Sequence, residues 1–115
     1  MVYDSVYRLA EEIKGSDEYK QYIEARSKVM SNETNATLLK EYQKLSLQAQ
    51  PYLLSGKEVP SDMAEKLQKL YSVLQLSPEC MDYMMKEYQL GATMNEIFKI
   101  LNKEIDIDMG LPKGD

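Results

Sequence analysis

The sequence predicts an all-α protein, a five-helix antiparallel bundle whose long C-terminal helices form a coiled-coil-like arm. Apolar residues recur three and four positions apart along most of the chain, which is the spacing of one helix face. No stretch alternates apolar and polar residues with the period of two that is typical of a strand. The 115 residues suit one core, so we predict a single helical domain over residues 1–115.

The first two helices are predicted over residues 2–14 and 16–30. Gly15 provides a stop for the first helix, and Ser16 has the side-chain oxygen of an N-cap for the second. The apolar face of the first helix consists of Tyr3, Val6, Tyr7, Ala10 and Ile13. The expected inner face of the second consists of Tyr19, Tyr22, Ile23, Arg26, Val29 and Met30.

The third helix is predicted over residues 33–54, with Asn32 as its cap and a kink near Pro51 because the residues after the proline are apolar. Residues 55–60 read as a loop, and Ser61 is expected to cap a fourth helix over residues 61–76. In the third helix we expect a seam of Leu38, Tyr42, Leu45 and Ala49, flanked by Leu39 and Leu47. The expected inward residues of the fourth are Met63, Leu67, Leu70, Tyr71 and Leu74.

The fifth helix is predicted over residues 78–108, capped by Ser77 and weakened at Gly91. Unbroken, these residues would form a rod of about 46 Å, whereas a globule of this length is about 35 Å across. The rod would overhang the core of one chain, so we predict a homodimer. The predicted interface consists of Met81, Met84, Tyr88, Leu90, Met94, Ile97, Phe98, Leu101 and Ile105.

The composition narrows the possible functions. Nineteen acidic and fourteen basic residues give a net charge of −5, which argues against direct binding to nucleic acid. The chain contains no histidine, which excludes imidazole catalysis. It contains one cysteine and no apolar run long enough to span a bilayer, and its N-terminus does not resemble a signal peptide. We therefore expect a cytoplasmic protein without a cofactor, and not an enzyme.

Three features have a chemical and a structural interpretation. Cys80, near a helix N-terminus, is a weak candidate for a reactive or cofactor-binding thiol, but a buried packing role is favoured. The acidic residues, namely Glu11, Glu12, Asp17, Glu18, Glu104, Asp106 and Asp108, fit solvated surface charge better than a metal site. Arg26 either anchors an anionic partner or lies along the edge of the core. We predict no catalytic and no metal-ligating residue.

Three segments carry a resemblance to a known family. Residues 3–9 (YDSVYRL) and 14–19 (KGSDEY) resemble its opening motif, and residues 30–47 resemble a second block around Asn-Glu-x-x-Asn. Residues 83–105 resemble its final helix, in which Met, Glu, Leu and Ile recur at helical spacing. On these segments the chain resembles the YlbF/YmcA family of small helical bacterial proteins, and most closely its YheA-like branch.

The resemblance implies a non-enzymatic helical protein that acts through homo- or hetero-oligomeric assembly, with protein partners of the same family. It also implies a role in the control of messenger-RNA processing and, through it, of competence, sporulation and biofilm formation. Some relatives are linked to iron–sulfur clusters held by cysteines. With Cys80 as its single thiol, this chain has at most one of the roughly four ligands that a cluster requires. The alternative function is therefore a redox module that shares a cluster with partner chains.

Overall fold

The computed structural model describes residues 1–105, which form five α-helices and contain no strand. The helices are α1 (Val2–Lys14), α2 (Asp17–Met30), α3 (Glu33–Leu54), α4 (Ser61–Leu74) and α5 (Pro78–Ile105). The prediction of an all-α protein with five helices is confirmed. Helix α5 continues through Gly91, and the last residues predicted for it, 106–108, lie outside the described range.

Side-chain caps begin three of the helices. At Ser16, Asn32 and Ser77 the side-chain oxygen accepts a hydrogen bond from the backbone N–H three residues later, at 3.2, 3.0 and 3.3 Å respectively. Each bond satisfies a backbone donor that the first turn of a helix leaves unpaired. The expected cap at Ser61 is wrong. Pro60 occupies the cap position of α4 without a side-chain hydrogen bond, and Ser61 is the first helical residue.

The chain divides into two compact units. Unit 1 consists of Met1–Ile23 together with the described chain from Met84 to Ile105, and unit 2 consists of Glu24–Tyr83. Helices α2 and α5 therefore contribute residues to both units. The single domain over residues 1–115 stays a prediction.

Unit 2 contains a hydrophobic core. Helices α3 and α4 pack together and build part of it. The ring centroids of Tyr42 and Tyr71 are 6.0 Å apart, and the ring planes are tilted by 37°. Leu39 of α3 and Leu74 of α4 are completely buried. The other buried apolar residues of unit 2 are Ala25, Val29, Ala36, Ala49, Cys80 and Tyr83.

Helix α3 corrects two expectations about which side faces the core. Leu39 is a core residue and not a flank, whereas Leu47 is 67% exposed. Leu47 lies two positions, or about 200° around the helix, from the buried Ala49. Leu54 lies seven positions after Leu47 and therefore on the same outward side of α3. The expected burial of the last turn is wrong for Leu53 and Leu54, which are 67% and 81% exposed, although Leu53 lies four positions after Ala49 on the inward side. Nothing described bears on the kink near Pro51, which stays a prediction.

Helix α2 corrects a third expectation. Arg26, assigned to its inner face, is exposed and takes part in a polar interaction. The buried positions of α2 are Ala25 and Val29, four residues apart on one stripe. Arg26 is displaced by about 100° from Ala25, which carries its side chain off that stripe.

Candidate protein-interaction surface

Burial differs sharply between the two units. All eight buried apolar residues of the described chain lie in unit 2, and unit 1 contains none of them. The buried residue of unit 1 is polar, Asn102, which is 8% exposed. Since apolar burial is the main favourable term in folding, the described part of unit 1, whose apolar residues are half-buried or exposed, gains less from burial than unit 2 does.

Helix α1 shows this lack of cover most clearly. Its first two turns carry Val2, Tyr3, Val6 and Tyr7, which are 71%, 69%, 58% and 73% exposed. These positions lie on one side of the helix by their spacing, so the exposed atoms form one apolar surface. Exposed apolar residues are ordinary when scattered singly, but a cluster of this kind marks an interaction site.

Helix α5 presents a second exposed set in unit 1. Tyr88 is 79% exposed and Met85 is 58% exposed, although both are large apolar side chains in the interior of the helix. Toward the end of α5, Ile100, Leu101 and Ile105 are 54%, 45% and 58% exposed. The long helix therefore carries more apolar surface than its own chain covers.

The nine residues predicted for the interface differ in exposure, and the interface itself stays a prediction. Tyr88, Phe98, Leu101 and Ile105 are exposed, whereas Met81, Met84, Leu90, Met94 and Ile97 are half-buried in their own chain. Angle around the helix does not explain this difference, since the exposed Leu101 lies seven positions, or about 20°, from the half-buried Met94.

One polar contact in unit 1 was not predictable from helical periodicity. The hydroxyl of Thr93 in α5 donates a 2.5 Å hydrogen bond to the carboxylate of Glu18 in the first turn of α2. Glu18 was predicted to be solvated surface charge, and no local pattern connects two residues that are 75 positions apart. This bond joins two helices of the unit that lacks an apolar core.

The chemical candidates within residues 1–105 do not come together in a site. Cys80 is completely buried in unit 2, and its N–H donates to the Ser77 cap. Among residues 1–105 no three histidine, cysteine or acidic side chains are grouped so that they could hold a metal ion. Glu104 falls in the last turn of α5, whereas Asp106 and Asp108 lie outside the described range.

Two grooves on unit 2 are open to solvent. One lies between α3 and α4, and another lies between the end of α2 and the start of α5. The first is lined by Glu41, Lys44, Leu45, Gln48, Lys66 and Leu70. The second is lined by Ala25, Lys28, Pro78, Glu79 and Asp82. Mixed charge on an open surface does not resemble the concave, largely apolar site that a small ligand requires.

In the part of the chain that the structure describes, no helix combines the length and the apolarity needed to cross a membrane.

Comparison with known proteins agrees with this architecture. The chain is 31% identical over 112 residues to a UPF0342 protein of Symbiobacterium thermophilum, covering 97% of this chain and all of the relative. It is 34% identical over 106 residues to a UPF0342 protein of Halothermothrix orenii, covering 92% of this chain and 90% of that one. A solved structure, a protein of unknown function (DUF964) from Bacillus stearothermophilus, has the same fold. It superposes with a TM-score of 0.74 at 21% identity, covering 91% of this chain and 92% of the other.

The family model described as control of competence regulator ComK, YlbF/YmcA, matches residues 2–106, nearly the whole chain. The match includes α1 and the final helix, the two regions that carry the exposed apolar surface. The resemblance of residues 3–9, 14–19, 30–47 and 83–105 is thereby confirmed, and the chain belongs to the YlbF/YmcA family.

Proposed function

We propose that this chain is a non-enzymatic, cytoplasmic regulatory protein that acts through assembly, with a homodimer as its basic form. The observation that carries the proposal is the absence of buried apolar residues from the described part of unit 1, beside an exposed apolar surface on α1 and α5. A surface of this kind is stable in water when another protein covers it.

The family supplies the biological context of the proposal. The description of the family model names the control of a competence regulator. We therefore propose that this chain acts in the regulation of competence and related developmental states. In finer detail, we propose that the chain influences messenger-RNA processing and that it binds other members of the family in heteromeric complexes. Assignment to the YheA-like branch belongs to the same set of proposals.

The non-enzymatic part of the proposal rests on composition and on relatives. The chain contains no histidine, and its curated relatives carry a family designation without an activity. The alternative redox function would need Cys80 to reach a cluster shared with other chains. Complete burial of this side chain in unit 2 offers no support for such a role.

The mass of the protein in solution tests the proposal. Tyr88 is the best residue to change, because it is 79% exposed and makes little contact with its own chain. Leu90 and Met94 are less suitable, since both are half-buried and a charge there would also disturb the fold. Gln89→Glu is the matched control, because it adds the same negative charge at the next, exposed position.

Sedimentation equilibrium over a hundredfold range of concentration should give a dimer for the wild-type chain and for Gln89→Glu. Tyr88→Glu should raise the dimer dissociation constant by at least about tenfold, because a desolvated charge is costly in an apolar contact. A wild-type chain that stays monomeric throughout would refute the homodimer. A dimer that tolerates Tyr88→Glu as well as the control would remove the outward side of α5 from the interface.

A further inference from the structure

We infer that the first two turns of α1 pack against a second copy of this chain and complete the dimer interface. The surface consists of Val2, Tyr3, Val6 and Tyr7 and is called the α1 patch below. The inference rests on the homodimer of the proposed function and extends its interface beyond α5, where the sequence had placed all of it.

Burial changes along a single face of α1. Leu9, Ala10 and Ile13, in the second half of the helix, are half-buried by their own chain. The α1 patch continues the same side toward the N-terminus, and all four of its residues are more than half exposed. A face that is apolar along its whole length but covered along half of it indicates that the other half is covered by another chain.

The local interactions of helix α1 stabilise it only weakly in water. It has 13 residues, and isolated helices shorter than about 12–15 residues are marginal even with favourable sequences. Its ion pairs are exposed, with 3.3 Å between the N-terminal amine and the Asp4 carboxylate and 3.8 Å between Lys14 and Glu11. Exposed pairs contribute little. Packing of the α1 patch would supply the missing stabilisation.

The area of the patch fits a dimer interface. A fully buried aromatic side chain removes about 150–250 Å² from water. At exposures of 69%, 73% and 79%, the rings of Tyr3, Tyr7 and Tyr88 together offer roughly 330–550 Å². A standard interface buries about 800 Å² on each partner. The three rings supply roughly half of this area, and Tyr88 alone only roughly 120–200 Å², so most of the exposed aromatic area lies on the α1 patch.

Exposure of the same apolar surface at all times favours a second copy as the occupant. The described part of unit 1 has no buried apolar residue, so it gains stability from a partner that is always present. A transient partner would leave it uncovered for part of the time. A second copy is present wherever the chain is made, and a twofold dimer covers the same patch on both protomers at once.

The test adds one charge inside the patch and one beside it. Val6→Glu introduces a carboxylate into the α1 patch. Ser5→Glu introduces the same charge at an exposed position about 100° around the helix. Glutamate is a good helix former and is favoured in the first turns of a helix, so neither substitution weakens α1 itself. Val6→Ala is a milder variant that removes apolar area without adding charge.

Sedimentation equilibrium is measured for the wild-type chain and the three variants, with hydrogen exchange followed at the amides of α1. We expect Val6→Glu to raise the dimer dissociation constant at least about tenfold relative to Ser5→Glu, and Val6→Ala to have a smaller effect in the same direction. The amides of α1 should exchange faster in each variant in proportion to the loss of dimer.

Three results would overturn the inference, and they are distinguishable. A dimer that Tyr88→Glu dissociates but Val6→Glu does not would exclude α1 from the interface and leave the proposed function standing. A wild-type chain that is monomeric at every concentration would remove the homodimer and this inference with it. Equal weakening by Val6→Glu and Ser5→Glu would show that added charge, and not the patch, is responsible.

Discussion

The Thr93 hydroxyl donates a 2.5 Å hydrogen bond to the Glu18 carboxylate, and this bond joins the middle of α5 to the start of α2. The same hydroxyl oxygen lies 3.4 Å from the backbone oxygen of Gln89, a longer and weaker alternative within α5. A hydroxyl has one proton to donate, so the short bond to the charged group dominates. Thr93 and Glu18 are both half-buried, which limits competition from water.

Thr93→Val should therefore destabilise the fold by about 1–2 kcal/mol, because it removes the donor and keeps the shape of the side chain. Thr37→Val is the matched control, since Thr37 is an exposed residue in the interior of α3. Chemical denaturation at one fixed protein concentration measures both, because the stability of a dimer depends on concentration. Equal effects of the two substitutions would show that the bond to Glu18 contributes nothing.

Local chemistry made much of this fold predictable. Ser16, Asn32 and Ser77 precede apolar periodicity and cap the helices that follow, as their side chains allow. Ser61 has the same chemistry and does not cap, because Pro60 before it occupies the cap position and Ser61 itself begins the helix. Residue type therefore predicts a helix cap only where the neighbouring residues allow the cap geometry. Ser61 is the exception because Pro60 precedes it.

Tertiary relationships were not predictable in the same way. Periodicity identified an apolar face on α1 and a surplus of apolar residues on α5, but it contains no information on which chain covers them. The contact of Glu18 with Thr93 depends on helix packing across 75 residues of sequence. The nine interface candidates on α5 were grouped by helical spacing, and the difference between the exposed Tyr88 and the half-buried Leu90 appears only once the helix is packed in the fold.

Helix α3 allows a direct test of its corrected orientation. Leu39→Ala should cost about 2–5 kcal/mol of unfolding free energy, because it leaves a cavity where a completely buried side chain had been. Leu47→Ala makes the same chemical change at a position that is 67% exposed, and it should stay within about 0.5 kcal/mol. Denaturation curves at equal protein concentration measure the pair. Similar costs at the two positions would refute the assignment of Leu39 to the core and Leu47 to the surface.

Two glycines should respond to alanine with opposite signs. Gly91 lies in the interior of α5, and a Cβ built there meets no atom within 4 Å. Gly91→Ala should stabilise the chain by about 0.5–1 kcal/mol, since alanine loses less backbone entropy in a helix and nothing obstructs it.

Gly56, in the loop after α3, has a φ of 73°, a left-handed conformation that disfavours a side chain. Gly56→Ala should destabilise by about 1–2 kcal/mol although the space around it is open.

The Gly91 experiment also bears on the dimer. Open space at Gly91 is a property of one chain, and a second copy seated closely on this part of α5 would take up that space. We therefore expect the full gain in a Tyr88→Glu background, where the proposed dimer is weakened and α5 faces water. A smaller gain in the otherwise wild-type chain would indicate close approach of the partner at Gly91. A loss of stability in both backgrounds would contradict the open environment of Gly91 and, with it, the unbroken course of α5 through this position.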